Sequence, residues 1–196
     1  MSALTVQYVP DRGDDWDELV RIREESNWPE GCKVEIIEGI LTVAPQPSYE
    51  HNVIAAKTAR RLNSVLPEDW EVFQTLGLAL PSRSGLYVPD LVVVPDEVER
   101  DSNGLVPAAA AELVVEITSK SNAKHDRVAK LKGCAQAGVP YYLLIDAFAS
   151  LGPTVTLHGE PSGDLYRVLQ VGKFGEGFHL PEPFDIELDT SLFPTP

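Results

Sequence analysis

Residues 111–146 read AELVVEITSKSNAKHDRVAKLKGCAQAGVPYYLLID. The first part, ELVVEITS, is a near-continuous apolar run, the mark of a strand covered on both faces. SNAKHDRVAKLKGCAQAGVP then has the signals of a helix. Ser121 or Asn122 can cap it, Val128, Leu131 and Ala135 supply an inner face, and Gly138 with Pro140 closes it. YYLLID reads as a second buried strand. Strand, helix and strand in that order predict a βαβ-like crossover, with Glu116 near the carboxyl end of the first strand.

A second apolar run, LYVPDLVVVPD at residues 86–96, carries Asp90. A carboxylate is costly to desolvate without a partner or a cation. Two acids at adjacent strand ends would make a hard oxygen site suited to Mg²⁺, with a backbone carbonyl near Ile117 as a further ligand. Asp126 and Lys130 are spaced i, i+4 and so share one helix face. Lys130 could hold an attacking water or neutralise a phosphate, with Asp126 orienting it or pairing with it. A divalent metal supplies a nucleophilic water, charge stabilisation and help for the leaving oxygen, which together hydrolyse a phosphodiester. Each piece has a plainer reading. A Pro-Asp before a strand is commonly a turn, an acid on an edge strand is unremarkable, and a lysine-rich helix is commonly a solvated face.

Working outward, DDWDELVRIREESN suits a short amphipathic helix, with Trp16, Leu19, Val20 and Ile22 apolar. KVEIIEGILTVAP reads as a hairpin pairing residues 34–37 with 40–43 around Glu38-Gly39. Ser48 is the expected N-cap of a helix over residues 51–66, with an apolar stripe of Val53, Ile54, Leu62, Val65 and Leu66. WEVFQTLGLAL reads as one more strand. After residue 146, TVTLHGE, DLYRVLQVGKF and FHLPEPFDIEL read as antiparallel strands that extend the sheet or flank it. The expected class is α/β, with a mixed central sheet flanked by helices and extra C-terminal antiparallel strands. One domain is expected over residues 1–196: an N-terminal helical segment (1–30), a core (31–146) and C-terminal strands (147–196).

Composition sets limits on function. With 43% hydrophobic and 23% charged residues, the 196-residue chain can bury a sizeable core. No apolar stretch approaches the roughly 20 residues that cross a bilayer, and the start lacks a secretory pattern, so a cytoplasmic location is expected. Cys32 and Cys134 form no metal-type cluster and are expected as free thiols. His125, His158 and His179 show no zinc spacing. The net charge of −14 opposes strong sequence-independent binding to a phosphate backbone. Local basic groups remain, with Lys120, Lys124, Arg127, Lys130 and Lys132 close together in the chain.

VPDLVVVPD followed by AELVVEITSKSNAKHDRVAKLKGCAQAGVPYYLLID resembles the Uma-type family of restriction-endonuclease-like proteins, within the PD-(D/E)XK nuclease superfamily. KVEIIEGILTVAPQPSYEH is similar to that family's acidic hairpin followed by a helix that opens with histidine. The resemblance implies a restriction-endonuclease-like core with a Mg²⁺ site, for which Mn²⁺ can substitute. It makes Asp90 the aspartate of the PD element and Glu116 the second acid, both metal ligands. The superfamily's acid-x-Lys would place lysine at position 118, where this chain has Thr118. That implies a catalytic lysine moved to the following helix, Lys130, with Lys120 as its rival. Asp126 matches the family's helix aspartate. Glu35 and His51 are further candidates, the latter for contact with metal or phosphate. Cys134 and Tyr141 depart from the family pattern.

The leading expectation is therefore a Mg²⁺-dependent DNA endonuclease that hydrolyses phosphodiester bonds by metal-activated water, with a homodimer expected by analogy and no membrane partner. The alternatives are a catalytically inactive nuclease-fold module for binding or assembly, and a metal-dependent hydrolase of small nucleotide substrates.

Overall fold

The structure is a computed structural model that describes residues 6–8, 16–101, 104–120 and 122–195. A short strand β1 (Val6–Tyr8) precedes helix α1 (Trp16–Glu25). Next comes the hairpin of β2 (Lys33–Ile37) and β3 (Ile40–Ala44), paired from Ile37↔Ile40 outward. Its two-residue turn needs left-handed backbone at both positions, and Glu38 and Gly39 adopt φ of 52° and 78°. Helix α2 (Tyr49–Asn63) is capped by Ser48, whose hydroxyl accepts the His51 amide. It ends three residues before the expected Leu66, at a Ser64 cap whose amide bonds back to Arg61 and Leu62.

Both long apolar runs that follow are split between two sheets. WEVFQTLGLAL forms β4 (Trp70–Phe73) and β5 (Leu78–Leu80), separated by a kink with Thr75 at φ 59°. LYVPDLVVVP forms β6 (Gly85–Tyr87) and β7 (Leu91–Pro95). Pro89 has no amide to give a ladder, so the chain leaves one sheet before it and enters the other after it. Asp90 thus stands at the junction of the two sheets rather than within a strand.

The strands β8 (Val106–Pro107) and β9 (Leu113–Ile117) lead into a helix made of a π-turn at His125–Ala129 and α3 (Lys130–Ala137). Then come β10 (Tyr141–Asp146), β11 (Thr154–Ser162), β12 (Leu165–Lys173), β13 (Gly177–Leu180) and β14 (Ile186–Asp189). The first sheet runs β1-β3-β2-β6-β5-β8 and the second β12-β11-β10-β9-β7-β4, with β13 and β14 as a separate ribbon. In the second sheet β9 and β10 are parallel, as the crossover predicts, and the other pairs are antiparallel. This is the mixed α/β architecture expected from the sequence.

The second sheet is covered on both faces. On one face Leu91, Val93, Leu113 and Val115 pack with Ile54 and Leu62 of α2 and with Phe178 and Ile186 of the ribbon. On the other, Val92, Val94, Val114 and Leu144 pack with Ala129, Cys134 and Tyr87. Helix α1 covers the first sheet through Leu19 and Val20 against Ile36 and Leu41. No helix among the described residues is long and apolar enough to cross a membrane. Both cysteines are free.

Of the residues expected on the inner face of the helix after β9, Ala135 is buried and Leu131 packs half-buried against the core, but Val128 is not inward. Val128 is 48% exposed, while Asp126, Ala129, Lys130, Gly133 and Cys134 are buried. The buried face follows the charged partners described below, and the π-turn, in which the Lys130 amide bonds to His125 O, rephases the helix by one residue. The side chain that meets its first turn is Ser119, whose hydroxyl accepts the Asn122 amide at 3.3 Å. Of the two expected caps, Asn122 has its side-chain oxygen buried without a hydrogen-bond partner, and Ser121 lies outside the described residues. Gly138, at φ 82°, closes the helix as expected, with its amide on Ala135 and Cys134.

Gly133 sets how closely α3 approaches the first sheet. A Cβ there would collide with the ring and hydroxyl of Tyr87, which is itself fully buried. Gly133→Ala is expected to destabilise the fold by about 1–3 kcal/mol. Thermal unfolding should show a fall of about 2–4 °C per kcal/mol for a chain of this size.

Candidate active site

The second sheet's register brings the two strand acids together. Leu91 pairs with Val115 across β7 and β9, so Asp90 comes opposite Glu116. Strand alternation turns Glu116 toward the face carrying Val92, Val114 and α3, while Asp90, just before β7, meets His51 of α2. The first sheet supplies β2, where the same alternation puts Lys33 and Glu35 on one face. Helix α2 brings His51 from its first turn, and the helix after β9 brings Asp126 and Lys130.

Two linked groups result. In the outer one, Asp90 Oδ1 lies 3.0 Å from Lys33 Nζ, and Asp90 Oδ2 lies 3.0 Å from His51 Nε2. Asp90 Oδ2 also accepts the Ile117 amide at 2.8 Å. In the inner one, Lys130 Nζ is 2.8 Å from Glu35 Oε1, 2.9 Å from Glu116 Oε1 and 3.3 Å from Asp126 Oδ1. Glu35 Oε1 additionally accepts the Val88 amide at 2.7 Å, pinning the junction that carries Asp90. Glu116 Oε2 is buried without a hydrogen-bond partner.

A cleft of about 910 Å³ opens onto the outer group. Lys33, His51, Asp90, Ile117 and Asp126 line it, and Lys120 stands in its wall. Glu35, Glu116 and Lys130 are buried behind these residues, with Lys130 only 1% exposed. Lys120 is exposed on the loop after β9, its ammonium 5.9 Å from the centre of the Phe148 ring. Thr118, where the superfamily pattern has lysine, donates its hydroxyl to Asp146 at 2.9 Å. Arg127 grips the same carboxylate at 2.7 and 2.8 Å.

The electrostatics divide the four acids. Burial works against ionised Asp90, but Lys33 and the His51 hydrogen bond outweigh it and hold Asp90 well below the usual carboxylate range. Burial is likewise overcome at Glu35, by Lys130 and Lys33. At Glu116 burial prevails over the attraction of Lys130, and with Asp126 and Asp90 nearby its carboxyl is pushed well up. Asp126 is pushed up to about 6, again mainly by burial. Burial and the charge of Lys130 oppose ionised Lys33, yet Asp90, Glu35 and Glu116 raise it above its ordinary value. Lys130 is raised too, burial being outweighed by Glu116, Glu35 and Asp126.

Asp90, Glu116, Lys130, Asp126, Glu35 and His51 therefore reach one locality, with Lys120 at its edge. Lys33 and Asp146 had no place in the sequence reading, and Thr118 and Arg127 entered it only as a departure from the superfamily pattern and as one of a run of basic groups. The signal for Lys33 lay in the alternation of KVEII, which puts a lysine on the same strand face as Glu35. Asp146, an acid closing the buried strand YYLLID, resembles Glu116 in kind.

The Uma2 family model, described as "Putative restriction endonuclease", matches residues 16–192. Among solved structures, the chain is similar to the crystal structure of a putative nuclease belonging to DUF820 from Anabaena variabilis ATCC 29413. The TM-score is 0.69 at 21% identity, over 92% of this chain and 99% of that one, which shows a shared fold. No curated protein matches the chain.

Replacing Lys130 by Met would bury three carboxylates without their shared cation. Lys130→Met is expected to cost about 3–5 kcal/mol in chemical denaturation. Asp126 gives a pH signature. With its folded value near 6 and an unfolded value of about 3.9, the folded state holds a proton at pH 5 that the unfolded chain has lost. That contribution is present at low pH and disappears as pH rises through the folded value. Between pH 5 and 7 the wild type should lose on the order of 1 kcal/mol more stability than Asp126→Asn, measured by urea titration.

Proposed function

This chain belongs to the Uma2 family, and on that premise we propose that it is a Mg²⁺-dependent endonuclease that hydrolyses DNA phosphodiester bonds at the Asp90–Glu116 site. The observation that supports this most is the register of β7 against β9, which sets the half-buried Asp90 opposite the buried Glu116 beside a cleft. The unpartnered Glu116 Oε2 suits a bound cation, and carboxylate oxygens suit a hard one. Among the described residues no three His, Cys, Asp or Glu side chains converge to hold a metal. Two carboxylates, with the other positions left to water and phosphate, are what Mg²⁺ commonly uses. Asp90 and Glu116 would hold it.

When bound, a divalent cation polarises the phosphoryl group and lowers the pKa of a coordinated water. The chain's own residues do the rest. The Ile117 amide and His51 fix the orientation of the Asp90 carboxylate. Lys130 and Glu35 fix Glu116 and the Val88 junction from behind. Lys130 thereby acts as a positioning residue.

A second reading is a hydrolase of small nucleotides. A cleft of about 910 Å³ is in the range of small-molecule sites, and the charge of −14 disfavours a long polyanion.

Supercoiled plasmid, single-stranded oligonucleotides and free nucleotides, each incubated with Mg²⁺ or Mn²⁺, separate these readings. Asp90→Asn and Glu116→Gln should each lower the rate on the true substrate by about 100-fold or more. Cleavage that survives both substitutions would sink the assignment. Turnover of nucleotides but not of DNA would establish the second reading. A wild type that takes up metal but turns over none of them would mark an inactive binding module.

A further inference from the structure

We propose that Lys33 is the cation that meets the substrate phosphate, an inference that rests on the nuclease reading above. Of the three lysines near the acids, Lys130 is enclosed by Glu35, Glu116 and Asp126 and does not line the cleft. Lys120 stands on the rim, over the Phe148 ring. Lys33 alone combines contact with Asp90, at 3.0 Å, with a place in the cleft wall. Its side chain is 18% exposed, against 1% for Lys130.

An ammonium on a four-carbon stem is a mobile point charge. Lys33 can turn from Asp90 Oδ1 to a phosphoryl oxygen in the same cleft without any shift of β2. Its strand carries Glu35 on the same face, and Glu35 is anchored to Lys130 and to the Val88 amide. The base of the Lys33 side chain is thus fixed while the side chain itself lines the cleft, its ammonium on Asp90. The facing sheet delivers the positive charge that position 118 does not.

The same contact admits a purely structural role, in which Lys33 only orients Asp90. Metal affinity separates the two. Removing a positive charge beside Asp90 strengthens cation binding at the acids, whereas removing a needed orienting partner weakens it.

The full chain, as wild type, Lys33→Met and Lys33→Arg, is assayed for single-turnover oligonucleotide cleavage with Mg²⁺. Mn²⁺ uptake is measured alongside by calorimetry. Lys33→Met should cleave about 100-fold more slowly or worse, the usual cost of losing one stabiliser of developing charge. Lys33→Arg, which keeps the charge but changes its shape, should recover to within about tenfold of wild type. Mn²⁺ affinity of Lys33→Met should be equal or tighter. A Lys33→Met rate within about threefold of wild type overturns the inference, as does a rate loss matched by an equal loss of Mn²⁺ affinity.

A third measurement covers failure of the nuclease reading itself, seen as a wild type that cuts nothing. Cys32 lines the cleft beside Lys33, while Cys134 is buried. Protection of the Cys32 thiol from alkylation therefore reports oligonucleotide binding in Ca²⁺. Lys33→Met needing about tenfold more oligonucleotide for the same protection supports the phosphate contact; equal protection overturns it.

Discussion

The buried ammonium of Lys130 is the constraint on which the rest of the structure depends. Three carboxylates from different parts of the chain close on it: Glu35 from β2, Glu116 from β9 and Asp126 from the π-turn. Such a cluster adds little net stability, because desolvation offsets the attraction between the charges. Its consequence is geometric. A shift of any partner leaves a charge buried and unpaired, which costs far more than the cluster contributes. The two sheets and the helix must therefore meet at one register. Asp90 arrives opposite Glu116 because Glu35 also holds the Val88 amide, two residues before it.

Much of this was legible in the chain, for reasons that can be traced. The strand–helix–strand order of residues 111–146 dictated a parallel pair, and β9 and β10 are that pair. Glu38-Gly39 dictated a two-residue turn, and Ser48 marked the start of α2. The resemblance carried by VPDLVVVPD and AELVVEITS pointed to the family whose model covers residues 16–192. What failed did so where tertiary partners override a local pattern. Val128 was assigned inward on apolar periodicity, but the helix turns its charged residues to Glu35 and Glu116 instead. The run around Pro89 looked like one strand, because a one-dimensional pattern does not reveal that its halves belong to different sheets. Lys33 escaped notice because its partners, Asp90 and Glu35, come together only after the sheets have met.

The overall charge of −14 and the cations of the cleft do not conflict. At physiological ionic strength, exposed charges more than about 8 Å apart are largely screened from each other. A ligand inside the cleft therefore responds first to the groups in its walls, where Arg23, Lys33 and Lys120 stand among the acids Glu50, Asp90 and Asp126. The distant acidic surface acts on approach, where it disfavours long polyanions. It follows that the net charge bears on the length of a substrate more than on whether a single phosphate can be held.

Position 118 shows why the cation comes from elsewhere. The Thr118 hydroxyl bonds Asp146, which also receives Arg127 and the Phe148 amide. Arg127 in turn bonds the Phe148 carbonyl. These contacts tie the end of β9 to the end of β10 along the edge of the cleft. A lysine at 118 would forfeit the hydroxyl bond and place another positive charge near Arg127, competing for the same carboxylate. With that position given to a neutral hydrogen bond, Asp90 and Glu116 draw their countercharge from outside the second sheet. Lys130 supplies it from behind and Lys33 from the facing sheet. A charge delivered across the cleft can reach a ligand there without disturbing the strands that hold the acids.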